Sequence, residues 1–159
     1  MVSSDWVRPE GSWASSAANR TSMLGNRNRD TEPEKAIRSL VHAAGLRYRV
    51  CARPLPNLRR TADLVFRPAK VAVFIDGCYW HGCPQHYVPP KTNPQYWSGK
   101  IARNVARDRD TDERLSAVGW VVLRFWEHEP PHECMLRIVS TVSACRAAVL
   151  NEKKVRFAD

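Results

Sequence analysis

The sequence predicts a single α/β domain, and three observations carry that prediction. Hydrophobic residues make up 43% of the 159-residue chain, which is enough to bury one core. Three segments repeat apolar residues at helical spacing, and four shorter runs have the composition of strands. Their order is helix, three strands, helix, strand, helix, which predicts a central sheet of about four strands flanked by helices. We expect the domain over residues 29–150, between a mostly disordered tail at 1–28 and a C-terminal tail at 151–159.

The first helix has clear start and stop signals. Thr31 can cap it, Pro33 occupies an early helical position, and Glu34 completes a capping box. Gly45 ends the helix. Its apolar face consists of Ile37, Leu40, Val41 and Ala44.

Three strand-like runs follow, and they cover residues 46–52, 61–66 and 70–75. The last two are joined by Arg67-Pro-Ala, which is short enough for an antiparallel hairpin.

The second half of the chain alternates helix and strand. A second helix is predicted from about residue 94 to 108, capped by Asn93, with a bent continuation to 118. Residues 120–126 form a fourth strand, and a closing helix covers residues 131–150.

Composition favours a polyanionic partner and excludes a membrane protein. The formal net charge is +9, and most of the cations are arginines, whose planar fork suits phosphate. No apolar run reaches the roughly 18 residues needed to cross a bilayer, and the N-terminus does not have the pattern of a signal peptide. The number of cysteines, five, is odd, and their spacing is not that of a disulfide framework. We therefore expect metal ligands or free thiols. Cys51, Cys134 and Cys145 are interpreted as small core hydrophobes.

One loop concentrates reactive side chains directly after the third strand: Asp76-Gly-Cys-Tyr-Trp-His-Gly-Cys-Pro-Gln-His86. Four residues separate Cys78 from Cys83, and His86 lies three further on, a spacing that can wrap around Zn²⁺. A fourth ligand is expected downstream, and His128 is the candidate, with His132 behind it.

Two carboxylates suggest a second metal site. Asp63 interrupts an apolar strand, and an unpaired carboxylate there costs several kcal/mol. Asp76 ends the partner strand, within diagonal reach across the hairpin, so the pair suits Mg²⁺. The alternative is that Asp63 lies at a sheet edge and Asp76 starts a turn. His81 is either a general base or acid, or the fourth zinc ligand.

The second helix has one packing face and one basic face. Trp97, Asn104 and Asp108 share the first, while Lys100 and neighbouring arginines occupy adjoining positions. These cations either follow a phosphate backbone or form a solvated face. Asp108 either pairs with a flanking arginine, Arg107 or Arg109, or orients His81.

With these residues in view, the chain resembles the very short patch repair endonucleases, enzymes that nick DNA beside the thymine of a T·G mismatch. The resemblance extends from about residue 23 to 129. It rests on motifs that occur in the family's order and spacing: Arg29-Asp-Thr…Glu34, Arg60-Thr-Ala-Asp63, Asp76-Gly-Cys-Tyr-Trp-His81, Tyr96-Trp97, Asn104…Arg107-Asp108, Gly119-Trp120 and Trp126-Glu127.

The resemblance implies a restriction-endonuclease-like fold with a mixed central sheet, and it implies roles for the acids. Asp63 is then the principal Mg²⁺ ligand, helped by the backbone carbonyl of Ile75. His81 and Asp108 handle the water and proton transfer, and Glu34 supports the site. Asp76 is interpreted as a further catalytic residue. Some members of the family have histidine at this position, so Asp76 either binds the metal or only shapes the site.

The resemblance also implies a structural zinc site and a set of DNA contacts. The zinc ligands are Cys78, Cys83, His86 and His128, although one family ligand position falls on or near Gln85. Tyr79, Trp80 and Trp97 match aromatics that wedge into the base stack, and Met23 matches a residue inserted from the opposite groove. Lys100 and Asn104 are expected to contact DNA as well.

The expected function is therefore Mg²⁺-dependent hydrolysis of one phosphodiester 5′ to the T of a T·G mismatch in double-stranded DNA. We expect a cytoplasmic, nucleoid-associated monomer, with mismatch-repair proteins as further partners. Two alternatives stay open: a nuclease of the same fold with broader mismatch or foreign-DNA specificity, and a zinc-stabilised DNA-binding module without catalysis.

Overall fold

The structure is a computed structural model that describes residues 29–91 and 93–156, with side chains up to 151, and a few positions between 7 and 21. The chain divides into two compact units, Met1–Thr31 and Glu32–Asp159. In the first unit, a helical turn is closed by a 3.0 Å hydrogen bond from the Arg20 N–H to the Ser16 carbonyl. Met23 and most of the predicted N-terminal tail lie outside the described residues, as do residues 157–159.

The second unit has the predicted order of elements. They are α1 (Glu32–Ala43), β1 (Arg49–Ala52), β2 (Ala62–Phe66), β3 (Val71–Asp76), α2 (Pro94–Ala117), β4 (Val121–Trp126) and α3 (Pro131–Arg156). The hairpin between β2 and β3 is closed by a short 3₁₀ turn, Arg67–Ala69. Among the described residues, no helix has both the length and the apolar content to cross a bilayer.

The four strands form one mixed sheet in the order β1-β2-β3-β4. The first three are antiparallel to one another, while β3 and β4 run parallel, with Phe74 beside Arg124 and Asp76 beside Trp126. Parallel neighbours end at the same edge of a sheet. The loops that follow β3 and β4 therefore leave the sheet side by side, which brings distant segments of the sequence together.

Side chains on the two faces of the sheet belong to two hydrophobic clusters, as strand alternation requires. The first packs α1 and α3 onto one face through Ile37, Val41, Leu64, Phe66, Val71, Val73, Phe125, Ile138 and Val142. The second packs the end of α2 onto the other face through Leu58, Val65, Ala72, Phe74, Leu115 and Trp120. Cys134 is buried in the first cluster and Cys145 packs against it, as expected of core hydrophobes.

The first strand is shorter than predicted, beginning at Arg49 instead of residue 46. The cause is the C-terminus of α1. Gly45 has a left-handed φ of +84°, and the Leu46 N–H donates to the Val41 carbonyl at 3.3 Å. Leu46 therefore completes the helix end and buries its side chain in the core instead of joining the sheet.

Two helix ends also differ from the sequence prediction. Asn93 precedes α2 as expected, but its φ of +53° is left-handed and its side chain makes no capping hydrogen bond. A side-chain cap needs an extended backbone at that position, so the prediction of the Asn93 cap is wrong. Helix α3 continues to Arg156 instead of ending near residue 150, because no Gly or Pro interrupts its last residues.

Candidate functional site

A group of three titratable side chains lies at the edge of the sheet where β3 ends. Asp76 is the last residue of β3, His81 follows in the loop, and Asp108 projects from α2. Their ligand atoms lie within 4.8 Å of one another. The Nδ1 atom of His81 is 2.5 Å from an Asp108 carboxylate oxygen and 3.6 Å from Asp76. This geometry matches the alternative in which Asp108 orients His81.

The electrostatics of this group make His81 a stronger base. Burial lowers the pKa of His81, but the Asp108 hydrogen bond and the negative charges of Asp76 and Asp108 outweigh it, so the pKa of His81 is raised. Burial raises the pKa of Asp108, yet its hydrogen bond to His81 and nearby positive charges hold that pKa below its usual value. The Asp108 carboxylate accepts a hydrogen bond from the Nδ1–H of His81. In neutral His81, Nε2 is therefore the nitrogen that can accept a proton.

Asp63 lies on β2, the strand that pairs with the β3 strand of Asp76. The register places Asp63 opposite Phe74 and diagonal to Asp76, as predicted. Its carboxylate accepts a 2.7 Å hydrogen bond from the Ile75 N–H. Burial raises the pKa of Asp63 to about 7, opposed by the Ile75 bond and reinforced by the charges of Glu34 and Asp76. A half-buried carboxylate beside two other acids is an environment that a cation would stabilise.

Arg124, on β4, is the centre of an ion-pair network around Asp76. Its Nη1 donates to both Asp76 oxygens at 3.0 and 2.8 Å, and its Nε donates to Asp112 at 2.9 and 3.1 Å. Nη2 donates to the Asp108 carbonyl at 3.3 Å, and the guanidinium lies 4.4 Å from the Phe74 ring centroid. Burial raises the pKa of Asp76, and the Arg124 charge limits that rise.

Arg124 and Asp112 are absent from the residues predicted for the site. A signal for Arg124 exists in the sequence, because it interrupts the apolar strand Val121–Trp126 much as Asp63 interrupts β2. A charge in such a strand requires a partner. The partner Asp76 lies 48 residues away in the chain, and only the parallel pairing of β3 and β4 brings the two together.

A second group combines two cysteines and two histidines: Cys78, Cys83, His86 and His128. Their ligand atoms also lie within 4.8 Å of one another. His128 Nδ1 is 3.0 Å from Cys78 Sγ and 3.1 Å from His86 Nδ1, and Cys83 Sγ is 3.8 Å from His86 Nδ1. Tetrahedral zinc with bonds of about 2.0–2.3 Å holds its ligands roughly 3.3–3.8 Å apart. The distances in this group range from 3.0 to 4.0 Å and lie on both sides of that separation, so small side-chain adjustments would fit the four residues around a single ion.

Two sequence alternatives for this group are not favoured by the geometry. His81 faces Asp108 and is not a member of the cysteine–histidine group. Within the part of the chain that the structure describes, His132 is not a member of that group either.

The loop that carries His81 and three of the four cysteine–histidine ligands is also held at two points by hydrogen bonds to its backbone. At its start, the Cys78 N–H donates to a Glu127 carboxylate oxygen at 2.7 Å. In its middle, the Asn104 side-chain amide on α2 donates to the Trp80 carbonyl at 2.8 Å. Asn104 is therefore engaged in holding the loop, a role that its position in the sequence did not predict.

The predicted wedge aromatics pack against one another. Ring centroids of Tyr79, Trp80 and Trp97 lie 5.1–5.8 Å apart, and each ring is half-buried. The Lys100 ammonium lies 5.2 Å from the Trp80 ring and 5.1 Å from the Trp97 ring, at cation–π distance. One edge of the site thus presents a cluster of aromatics with a positive charge.

Comparison with known proteins identifies relatives across most of the chain. The family model described as DNA mismatch endonuclease Vsr matches residues 14–86. The Type II nicking enzyme V.NaeI of Lentzea aerocolonigenes is 44% identical over 128 residues, which cover 79% of this chain and 77% of that protein. The DNA mismatch endonuclease Vsr of Escherichia coli K12 is 36% identical over 112 residues, covering 70% of each chain. The Type II nicking enzyme V.NmeDIP of Neisseria meningitidis serogroup C is 39% identical over 109 residues, covering 67% of this chain and 72% of that protein.

Proposed function

Because this chain belongs to the Vsr family of DNA mismatch endonucleases, we propose that it hydrolyses one phosphodiester 5′ to the T of a T·G mismatch, which starts a short repair patch. The observation that carries the proposal is the His81–Asp108 pair, a base with its orienting acid. Asp76 connects this pair to Asp63, because Asp76 lies 3.6 Å from His81 and its charge acts on the Asp63 carboxylate. A restriction-endonuclease-like fold is part of the proposal, and the mixed sheet with helices on both faces supports it.

The catalytic metal in this proposal is Mg²⁺, held by the Asp63 carboxylate and the Ile75 carbonyl. Hard oxygen donors suit Mg²⁺, and a carboxylate whose pKa is raised to about 7 by burial and neighbouring acids gains most from a cation. When bound, the ion stabilises negative charge on the phosphate and lowers the pKa of the attacking water. Glu34, which is buried near Asp63, supports the site through its charge.

Proton transfer in this proposal belongs to His81. Its Nε2 accepts the proton of the attacking water while its Nδ1–H stays bonded to Asp108. The imidazolium that forms is stabilised by Asp108 at 2.5 Å and by Asp76 at 3.6 Å. The chain therefore supplies both the base and the negative charge that the base needs after it is protonated.

Mismatch selection is assigned to the aromatic cluster of Tyr79, Trp80 and Trp97. Inserting a ring between base pairs costs on the order of a few kcal/mol of stacking, and a wobble pair loses less than a matched pair. Zinc at the cysteine–histidine group would brace the loop that carries Tyr79 and Trp80, because its ligands come from both ends of that loop and from the end of β4. Lys100 and Met23 are proposed as further DNA contacts, and Met23 lies outside the described residues.

The function is tested by strand-specific nicking of end-labelled duplexes that differ only in one base pair. With Mg²⁺ present, we expect cleavage 5′ to the T of T·G and little cleavage of matched DNA. Similar cleavage of several mismatches would favour the nuclease of broader specificity. Binding without Mg²⁺-dependent cleavage of any duplex would favour the DNA-binding module.

Removing the Trp80 ring is expected to weaken selective binding. Trp80→Ala deletes one stacking surface, worth about 1–3 kcal/mol, so the Kd for T·G DNA should rise roughly 5- to 150-fold. Fluorescence anisotropy with T·G and matched duplexes measures this change. Trp80→Phe retains a stacking ring and serves as the control. Equal affinities for the T·G duplex in the alanine variant and the unaltered protein would contradict the wedge assignment.

A further inference from the structure

We infer that Asp76 is not a ligand of the catalytic metal in this chain, and that Arg124 locks Asp76 into an ion-pair network that positions His81. In this assignment Arg124 is a positioning residue, and Asp112 is its outer anchor. The inference rests on the proposed function, because it assigns roles within the same nuclease site. It follows from the contacts of Asp76, from the contacts that immobilise Arg124, and from the position of the network relative to His81.

The carboxylate of Asp76 is already engaged by a positive charge. Arg124 Nη1 contacts both of its oxygens at 3.0 and 2.8 Å, and Asp76 is 7% exposed. An arginine side chain does not lose its proton in proteins, so this charge is permanent. A divalent cation bound to the same carboxylate would lie close to the guanidinium in a partly buried site, where charges repel strongly.

Arg124 is itself held on several sides, so it does not swing away to release Asp76. The Nε–H of Arg124 donates hydrogen bonds to both Asp112 carboxylate oxygens, at 2.9 and 3.1 Å. Its Nη2 lies 2.9 Å from one of those oxygens. The Asp108 carbonyl accepts a hydrogen bond from Nη2 at 3.3 Å, and the guanidinium carbon lies over the Phe74 ring, 4.4 Å from its centroid. These partners are on α2 and β3, which are regular elements of the framework.

The same network determines the surroundings of His81 Nδ1. Asp76 lies 3.6 Å and Asp108 lies 2.5 Å from that nitrogen. Arg124 contacts both acids, because its Nη2 is also 3.7 Å from an Asp108 carboxylate oxygen. It therefore keeps the two acids together on the Nδ1 side of the imidazole, and Nε2 is left as the nitrogen that exchanges protons.

The metal assignment is tested by Mn²⁺ binding to the zinc-loaded protein without DNA, measured by electron paramagnetic resonance. Mn²⁺ takes oxygen ligands like Mg²⁺ and gives a signal that does not require activity. We expect Asp76→Asn to weaken Mn²⁺ binding less than about threefold, because Asp76 acts on the ion only through a charge that Arg124 partly offsets, and Asp63→Asn to weaken it more than tenfold. A tenfold loss of affinity in both variants would overturn this inference and leave the proposed function intact. Unchanged affinity in Asp63→Asn would overturn the proposed metal site itself.

The positioning role is tested by the single-turnover nicking rate at saturating Mg²⁺ and protein. We expect Arg124→Lys to lower this rate at least tenfold, and Asp112→Asn to lower it roughly three- to tenfold. Neither change should alter Mn²⁺ affinity or the Kd for DNA more than twofold. The matched control on the same helix is Asp110→Asn, which weakens ion pairs with Arg114 at 2.7 Å and Arg60 at 3.8 Å.

A double variant separates positioning from general damage. If Arg124 acts through Asp76, Arg124→Lys combined with Asp76→Asn should lower the rate by less than the product of the single effects. Rates for Arg124→Lys and Asp112→Asn equal to that of the Asp110→Asn control would overturn the positioning role. Should Arg124→Lys fail to fold, Asp112→Asn decides the question, because that side chain is 37% exposed and lies at the outer margin of the network.

Discussion

Asp63→Asn is expected to lower the nicking rate of T·G duplexes at least about 1,000-fold, the size of effect that follows from losing several kcal/mol of metal-derived charge stabilisation. In the unaltered protein the Ile75 N–H donates a 2.7 Å hydrogen bond to the Asp63 carboxylate. Asparagine has nearly the same shape, and its side-chain oxygen can accept the same hydrogen bond. Its amide has no charge with which to hold Mg²⁺. The loss should therefore appear in the chemical step, measured as a single-turnover rate.

DNA affinity separates this loss from misfolding. Asp63 is half-buried and is not part of the aromatic cluster, so the Kd for T·G DNA without Mg²⁺ should change by less than about threefold. Asp110→Asn is again the matched control, because it removes an exposed carboxylate from the same unit. Nicking by Asp63→Asn at the rate of the unaltered protein would refute the assignment of Asp63.

The same substitution should stabilise the fold when no Mg²⁺ is added. The folded-state pKa of Asp63 is about 7, whereas an unfolded aspartate titrates near 3.9. Between these values the folded protein retains a proton that the unfolded chain has released, so this group makes the fold less stable as pH rises from about 4 to about 7. Asp63→Asn removes this cost, and we expect a gain of about 4 kcal/mol in the free energy of unfolding at pH 8 and at most about 0.5 kcal/mol at pH 4. Urea unfolding at the two pH values measures the difference.

How much of the site the sequence predicts depends on the distance over which each residue acts. Asp63 is identifiable alone, because a carboxylate in an apolar strand requires compensation. Most of the cysteine–histidine group can be predicted from the sequence, because three of its four members lie in one loop. Arg124 presents the same signal as Asp63, but its three acidic partners come from two other elements. Their convergence depends on the parallel pairing of β3 with β4, which no local pattern specifies.

The fold was predictable where one interaction dominates and less so where several compete. The antiparallel hairpin between β2 and β3 follows from a short connection and is confirmed. The start of β1 is not predicted, because residue 46 has strand-like chemistry but its N–H completes the end of α1. The residue type of Asn93 suggests a side-chain cap. In the structure Asn93 instead adopts a left-handed backbone conformation, which asparagine tolerates better than most residues.

Cys83→Ser is expected to remove zinc and to disable the whole loop. Cys83 is 1% exposed, so the small change from thiol to hydroxyl adds little strain, but serine is a poor zinc ligand. Losing one of four ligands should weaken zinc binding at least about 100-fold. The loop then loses the link between residues 78, 83, 86 and 128 that bridges the ends of β3 and β4. Because this loop carries His81 and the ring of Trp80, we expect the nicking rate to fall at least about 100-fold.

Zinc content and thermal unfolding decide this prediction together. The unaltered protein should contain close to one zinc per chain by atomic emission, and Cys83→Ser close to none, with a Tm lower by roughly 10 °C. Cys145→Ser is the matched control, because it makes the same chemical change at a half-buried thiol outside the ligand group. It should keep its zinc and its nicking rate. Full zinc content in Cys83→Ser, or an equal loss of zinc in Cys145→Ser, would contradict the assignment of Cys83 as a ligand. A loss of zinc with an unchanged nicking rate would mean instead that contacts such as the Glu127 bond to the Cys78 N–H suffice to hold the loop.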